Sequence, residues 1–272
     1  MGSGTAIAVH SYKGGTGKTL ISTNLSGILA SQGKNVCLVD LDLRAPSLDA
    51  TFGTDRKAWV NDFFEDRCEP VDLLRDFSKE KGTKGRFFVI LADPSVEAIR
   101  AAITKDRGWQ MRALQHLISL RDFLSEKMAV DYVIFDTSPG LLYESINAVA
   151  AADLALVITT WDASDISGTR GMVNELYELF ERRAVVLMNK IPQQLLASGE
   201  MKLRMTKQFR ETFKLPVMDL LACYCEVLAQ ERASIIALEK PDYPFSKGLV
   251  EAVQQIEEVA RELKPRPAQK AS

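Results

Sequence analysis

The sequence has little of what would commit a chain to a membrane, to the extracellular space or to a polyanion. No apolar run approaches the length of a bilayer span. No signal peptide precedes the first apolar segment, because Met1-Gly-Ser-Gly-Thr leads straight into Ala6-Ile7-Ala8-Val9, so a cytoplasmic location is expected. Cysteine is scarce, with four residues at 37, 68, 223 and 225, and without a secretory signal they fit a reducing compartment. The net charge is only −2, which excludes a global field that would draw in DNA or anionic lipid. Any such contact needs a local patch. Histidine is limited to His10 and His116, neither near a cysteine pair. Internal repeats and a convincing linker are both missing. One domain over residues 1–263 is therefore expected, followed by a disordered tail at 264–272.

What is present is an ordinary globular composition, 46% hydrophobic and 26% charged over 272 residues. Strand-like and helix-like segments alternate. Apolar runs lie at Ala6–Val9, Asn35–Asp40, Arg86–Ala92, Asp131–Asp136, Leu154–Thr160 and Ala184–Asn189, with a weaker one at Val217–Ala222. Near-continuous runs indicate strands covered on both faces. The expected fold is a doubly wound α/β architecture, a mostly parallel seven-stranded sheet with helices on both sides. Helices are expected at Leu20–Ala30, Trp109–Met128, Ile166–Arg182, Ser198–Lys214 and Ser246–Leu263. Between 41 and 85 the pattern is weaker: short helices at Trp59–Phe64 and Val71–Phe77, then a charged loop at Lys79–Arg86.

The stretch Lys13-Gly14-Gly15-Thr16-Gly17-Lys18-Thr19 falls between the first strand and the first helix. A glycine-rich turn in that context is a phosphate loop, with backbone N–H groups and the helix N-terminus facing an anion. Lys18 supplies a positive charge for the terminal phosphates, and the Thr19 hydroxyl is placed to ligate Mg²⁺. The second strand runs into Asp40-Leu41-Asp42, two acids on the same side of a strand end. The fourth ends at Asp136-Thr137-Ser138-Pro139-Gly140. An acid after an apolar strand is the arrangement that holds a Mg²⁺-bound water, and the Pro-Gly turn follows it.

The usual loop pattern has glycine where this chain has Tyr12, and it lacks a second lysine. The form with Lys13 resembles the deviant phosphate loop of the MinD/ParA family of ATPases. The resemblance covers roughly residues 4–263, densest at 12–48 and 131–140. It implies an ATPase that uses ATP and Mg²⁺, slow without a stimulating partner. It also implies a homodimer in the ATP state, with Lys13 reaching the partner's nucleotide. Lys18 and Asp42 complete the implied catalytic set, Asp42 by positioning or activating the attacking water. Gly14, Gly15, Thr16, Gly17, Lys18, Thr19 and Leu20 would bind the nucleotide, and Thr19, Asp40 and Asp136 would hold the Mg²⁺ shell, in part through water. Asn189-Lys190 resembles the family's adenine-side pair; a helix-capping role for Asn189 is the alternative. Such switches place or segregate a cellular cargo.

Three features bear on the partner. Cys223-x-Cys225 offers two thiols that, doubled in a dimer, could hold zinc or an iron–sulfur cluster; the alternative is a pair of partly buried small side chains. Arg204, Lys207, Arg210 and Lys214 line up on one helix face, with Met201, Met205 and Phe209 opposite. That face is either solvated or a weak nonspecific DNA contact through Lys207, Arg210 and Lys214. The last helix is acidic and apolar rather than basic and amphipathic, so it does not read as a membrane anchor. A metal-cluster scaffold and an ATP-dependent ligase or kinase on the same fold are the competing functions.

Overall fold

Neighbouring residues of the first strand enter two different cores. In β1 (Thr5–His10), Ala6 and Ala8 belong to one buried cluster and Ile7 and Val9 to the other. Side chains alternate across a pleated strand, so a run that is apolar at every position must be covered twice. The computed structural model, which describes residues 4–55, 57–177, 183–224, 227 and 235–263, shows this two-sided cover along most of the sheet.

The other strands are β2 (Val36–Leu41), β3 (Arg75–Asp76), β4 (Phe87–Ile90), β5 (Tyr132–Thr137), β6 (Leu154–Thr160), β7 (Arg183–Ile191) and β8 (Val217–Ala222). Their order in the sheet is β3-β4-β2-β5-β1-β6-β7-β8. All neighbouring pairs are parallel except β3 with β4. Among the described residues the sheet therefore has eight strands rather than the expected seven. The additional one, β3, has two residues and no apolar run to announce it.

The helices are α1 (Lys18–Ser31), α2 (Asp49–Phe52), α3 (Val60–Phe64), α4 (Ser78–Lys81), α5 (Val96–Ile103), α6 (Arg107–Glu126), α7 (Tyr143–Ala151), α8 (Ala163–Met172) and α9 (Gly199–Phe213). A helical turn Ile236–Glu239 and a closing helix Pro244–Leu263 follow. Side chains of α1 and the closing helix share one cluster with Ile7 and Val9, and α6, α7 and α9 share the other with Ala6 and Ala8. The closing helix spends its apolar stripe inward, burying Phe245, Leu249, Val253 and Ile256. Among the described residues no helix is long and apolar enough to cross a membrane.

Three local expectations change. Val71–Phe77 is not one helix but a 3-10 turn, Pro70–Leu73, that runs into β3. Lys79–Arg86 is not all loop, because α4 forms at its start and stops at Gly82, whose φ is 63°. Beyond α8 the chain passes into a π-helical turn, Val173–Tyr177, and the expected helix end at 182 lies outside the described residues. So does the tail at 264–272.

Candidate functional site

Because β5 lies between β1 and β2, the carboxyl ends of these strands are adjacent, and Asp40 stands opposite Asp136 in register. The loop after β1 crosses this edge and becomes α1 at Lys18. Gly17 has a φ of 101°, a left-handed value that only glycine adopts cheaply. A Cβ there would also approach Asn189 Nδ2 to 2.5 Å. The first turn of α1 carries no acid, so no side chain of the helix itself offsets the positive end of its dipole.

Lys18 is 7% exposed, and its Nζ donates to Ser11 Oγ at 3.0 Å. Burial lowers its pKa, while the nearby Asp136 and Asp42 pull it the other way. Asp136 is fully enclosed and accepts hydrogen bonds from Ser22 Oγ at 3.0 Å and from the Thr19 hydroxyl. Burial outweighs those bonds and pushes its pKa up to about 6. Asp40 is also enclosed; it accepts from the backbone N–H of Asp42 at 3.0 Å and of Leu48 at 3.4 Å. Burial, then Asp136 beside it, raises its pKa well above the ordinary range. Two buried acids kept next to each other favour a cation in their neighbourhood.

Asp42 lies higher on the same edge. Its Oδ1 accepts from Ser138 Oγ at 2.8 Å and from Ala45 N–H at 3.1 Å. The loop after β2 is thereby tied to the loop after β5. His10, at the end of β1, donates from Nε2 to Gly140 O at 2.7 Å. Its burial, chiefly, holds the imidazole neutral with a pKa of about 4.

Lys13 lies on the outer rim. Its Nζ donates to Asp162 Oδ1 at 2.9 Å and to the Ser164 hydroxyl. Asp162 also caps α8, accepting from Asp165 N–H at 3.0 Å. The bond to Asp162 raises the Lys13 pKa, and the Ser164 hydroxyl and Lys13 hold Asp162 well below the usual carboxylate range. Lys13, Gly14, Gly15, Thr16, Asp165 and Lys190 line an open cleft of about 330 Å³. Thr16 Oγ1 is buried there without a hydrogen-bond partner among the described residues. Lysines, a helix N-terminus with no acid in its first turn and an orphaned hydroxyl suit a phosphate group; the threonine and buried acids beside it suit a hard divalent cation.

Asn189 and Lys190, at the end of β7, meet the loop directly. Asn189 is 3% exposed; its Nδ2 donates to Thr16 O at 2.9 Å, and its Oδ1 accepts from Lys190 N–H at 2.9 Å. Lys190 Nζ donates to Gly15 O at 2.6 Å. Both side chains brace the loop in this structure. Leu20, one turn into α1, packs against the cluster that holds Ile7 and Val9.

Ser11, Ser22, Ser138, Asp162 and Ser164 were not singled out by sequence reasoning. Ser22 had a usable signal, since it lies one helical turn beyond Thr19 on the same face. Asp162 had none, because it meets Lys13 only through the fold.

The basic face of α9 is partly spent. Lys202 pairs with Asp219 at 2.6 Å, Arg204 with Glu200 at 3.1 Å, and Arg210 Nη2 donates to Val217 O at 3.4 Å. Lys207 and Lys214 remain exposed on that face. Met201, expected on the buried side with Met205 and Phe209, is 43% exposed. Cys223 is half-buried; Cys225 lies outside the described residues.

A family model described as an AAA domain matches residues 4–188. The septum site-determining protein MinD of Bacillus subtilis is 33% identical over 203 residues, covering 72% of this chain and 69% of that protein. The cell division ATPase MinD of Pyrococcus furiosus superposes with a TM-score of 0.75 at 19% identity, covering 94% of this chain and 99% of that one. MinD of Pyrococcus horikoshii, solved as a complex with Mg-ADP, gives 0.74 at 17% identity over 96% and 99%.

Proposed function

The chain belongs to the MinD/ParA family of P-loop ATPases, and from that premise we propose a nucleotide-driven positioning switch. It binds ATP with Mg²⁺ at residues 13–20, dimerises around the nucleotide, hydrolyses slowly and then separates. The observation that carries this reading is the cluster at the sheet edge: Lys18, Asp40, Asp42 and Asp136 converge beneath one loop, with Lys13 on its rim.

Each side chain has a task in that reading. Lys18 and the N–H groups from Gly14 to Leu20 neutralise the β- and γ-phosphates. Bound Mg²⁺ would offset phosphate charge; the Thr19 hydroxyl would ligate it, with Asp40 and Asp136 behind it through water. Ser22 holds Asp136 in place. The two bonds to Asp42 fall on Oδ1, so Oδ2 is the oxygen that orients the attacking water. Asn189 and Lys190 fix the loop from beneath while facing the base side. Lys13 leaves Asp162 and crosses to the second protomer's phosphates. A stimulating protein partner accelerates turnover. Residual DNA contact through Lys207, Arg210 and Lys214 would show as affinity falling steeply with salt.

Light scattering on Asp42→Ala protein tests the switch. A dimer with Mg-ATP, a monomer with Mg-ADP, and loss of the dimer on adding Lys13→Ala are expected. A monomer in both states with ATP demonstrably bound would remove the reading.

A further inference from the structure

Outside the phosphate site, Glu144 is one of the few enclosed carboxylates among the described residues. It is the second residue of α7, the helix that begins just after the Ser138-Pro139-Gly140 turn. Its side chain is 4% exposed. Oε1 accepts from Arg44 Nη2 at 3.2 Å, from Arg44 Nε at 3.4 Å and from Gln110 Nε2 at 3.4 Å, while Oε2 is buried with no partner among the described residues. Gln110, near the start of α6, is itself held by Asn147, whose Nδ2 donates to Gln110 O at 2.8 Å. Leu41, Leu43, Phe64 and Trp109 enclose the group in a small cavity.

Arg44 lies two residues beyond Asp42. The loop after β2 is thus attached to the segment after β5 at two points: Ser138 to Asp42 at the phosphate edge, and Arg44 to Glu144 beneath it. An enclosed carboxylate that loses its cation is left as an uncompensated charge, so the lower attachment resists rearrangement. A two-point attachment also holds the Asp42 loop, and with it the carboxyl that accepts from Ser138 and Ala45, against rotation about either contact.

We propose that Arg44 and Glu144 are positioning residues for hydrolysis, clamping the Asp42 loop to α7 so that the two loops move as one body. The inference rests on the functional reading above. A purely structural ion pair would lower thermal stability and leave the turnover of folded protein alone; a positioning pair lowers kcat at unchanged nucleotide affinity.

The test compares unmodified protein, Arg44→Ala, Arg44→Lys, Glu144→Gln and the Arg44→Ala/Glu144→Gln double variant, measuring Mg-ATP Kd, kcat per bound nucleotide and melting temperature. A loss of about 10-fold in kcat is expected for each of Arg44→Ala and Glu144→Gln, with Kd within about 2-fold. The double variant should be no slower than either single one, because both remove one interaction. Arg44→Lys, which keeps the charge but not the fork, should recover part of the rate. Full turnover in folded Glu144→Gln, or losses that multiply in the double variant, would overturn the clamp. Should Arg44→Ala not fold, Arg44→Lys and Glu144→Gln decide alone, by the same two criteria. Failure of the underlying reading has a different mark: unmodified protein that does not bind Mg-ATP, which overturns both.

Discussion

The floor of the phosphate loop and its rim hold one lysine each. On the floor, Lys18 is buried among Ser11, Asp42 and Asp136. On the rim, Lys13 keeps 41% of its side chain exposed and Asp162 keeps 59%. Charges enclosed on the floor interact strongly and cannot exchange partners without a large penalty. An exposed pair is screened by water and salt and contributes little to stability. The floor is therefore preorganised for one ligand, whereas the rim can release its lysine at small cost. In the proposed switch the outer lysine travels and the inner one stays, and this division of exposure suits both.

The largest effect that separates floor from rim should come from Lys18→Ala. It removes the cation from beside Asp136 and Asp42, and Mg-ATP affinity measured by calorimetry should fall by about 100-fold or more. Asp42→Ala comes next: bound ATP should persist while single-turnover hydrolysis drops by about 100-fold.

A titration sharpens the contrast further. The folded His10 pKa is about 4, below its ordinary 6.5. A lowered histidine leaves stability intact above pH 6.5 and removes it as pH falls from 6.5 through 4, by up to about 3 kcal/mol. His10→Gln should flatten that part of a chemical-denaturation profile, since glutamine can still donate to Gly140 O. An unchanged slope between pH 6.5 and 4 would mean His10 is not enclosed as described.

Smaller still is the effect at Gly168 of α8, where a Cβ would come within 2.0 Å of Tyr12 Cε1. Gly168→Ala should gain about 1 kcal/mol of helix propensity and lose about 1–3 kcal/mol to displacement of the ring. In a Tyr12→Ala background the same change should become stabilising. If its sign does not reverse, Tyr12 does not set the rim. The smallest effect is Asp162→Asn, which should leave the melting temperature unchanged at ordinary salt; a clear drop would show that the rim is as rigid as the floor.

What the sequence made legible follows from distance along the chain. The phosphate loop is contiguous, so its glycines, Lys18 and Thr19 could be read together, and seven strands carried apolar runs long enough to notice. Asp40 and Asp136 were readable because each ends such a run, and Asp42 because it follows Asp40 by two residues. Asp162, which holds Lys13, and Glu144, which holds Arg44, are joined to their partners only by the fold, and nothing local marks either. The Asn189 amide was legible as a functional group but not in its orientation, since its bond to Thr16 O depends on how β7 meets the loop. β3 escaped because two residues carry no period.

That short strand has a consequence for the molecule in a crowded solution. β4 is the outermost long parallel strand on its side, with Phe87, Phe88, Val89 and Ile90 buried. Left bare, such an edge would template strand addition by other chains. Arg75 and Asp76 occupy it in the antiparallel sense, with the Arg75 guanidinium stacked 4.5 Å over the Phe77 ring and also donating to Phe52 O. Two residues thus act as a stopper, sealing one flank of the sheet against edge-to-edge aggregation.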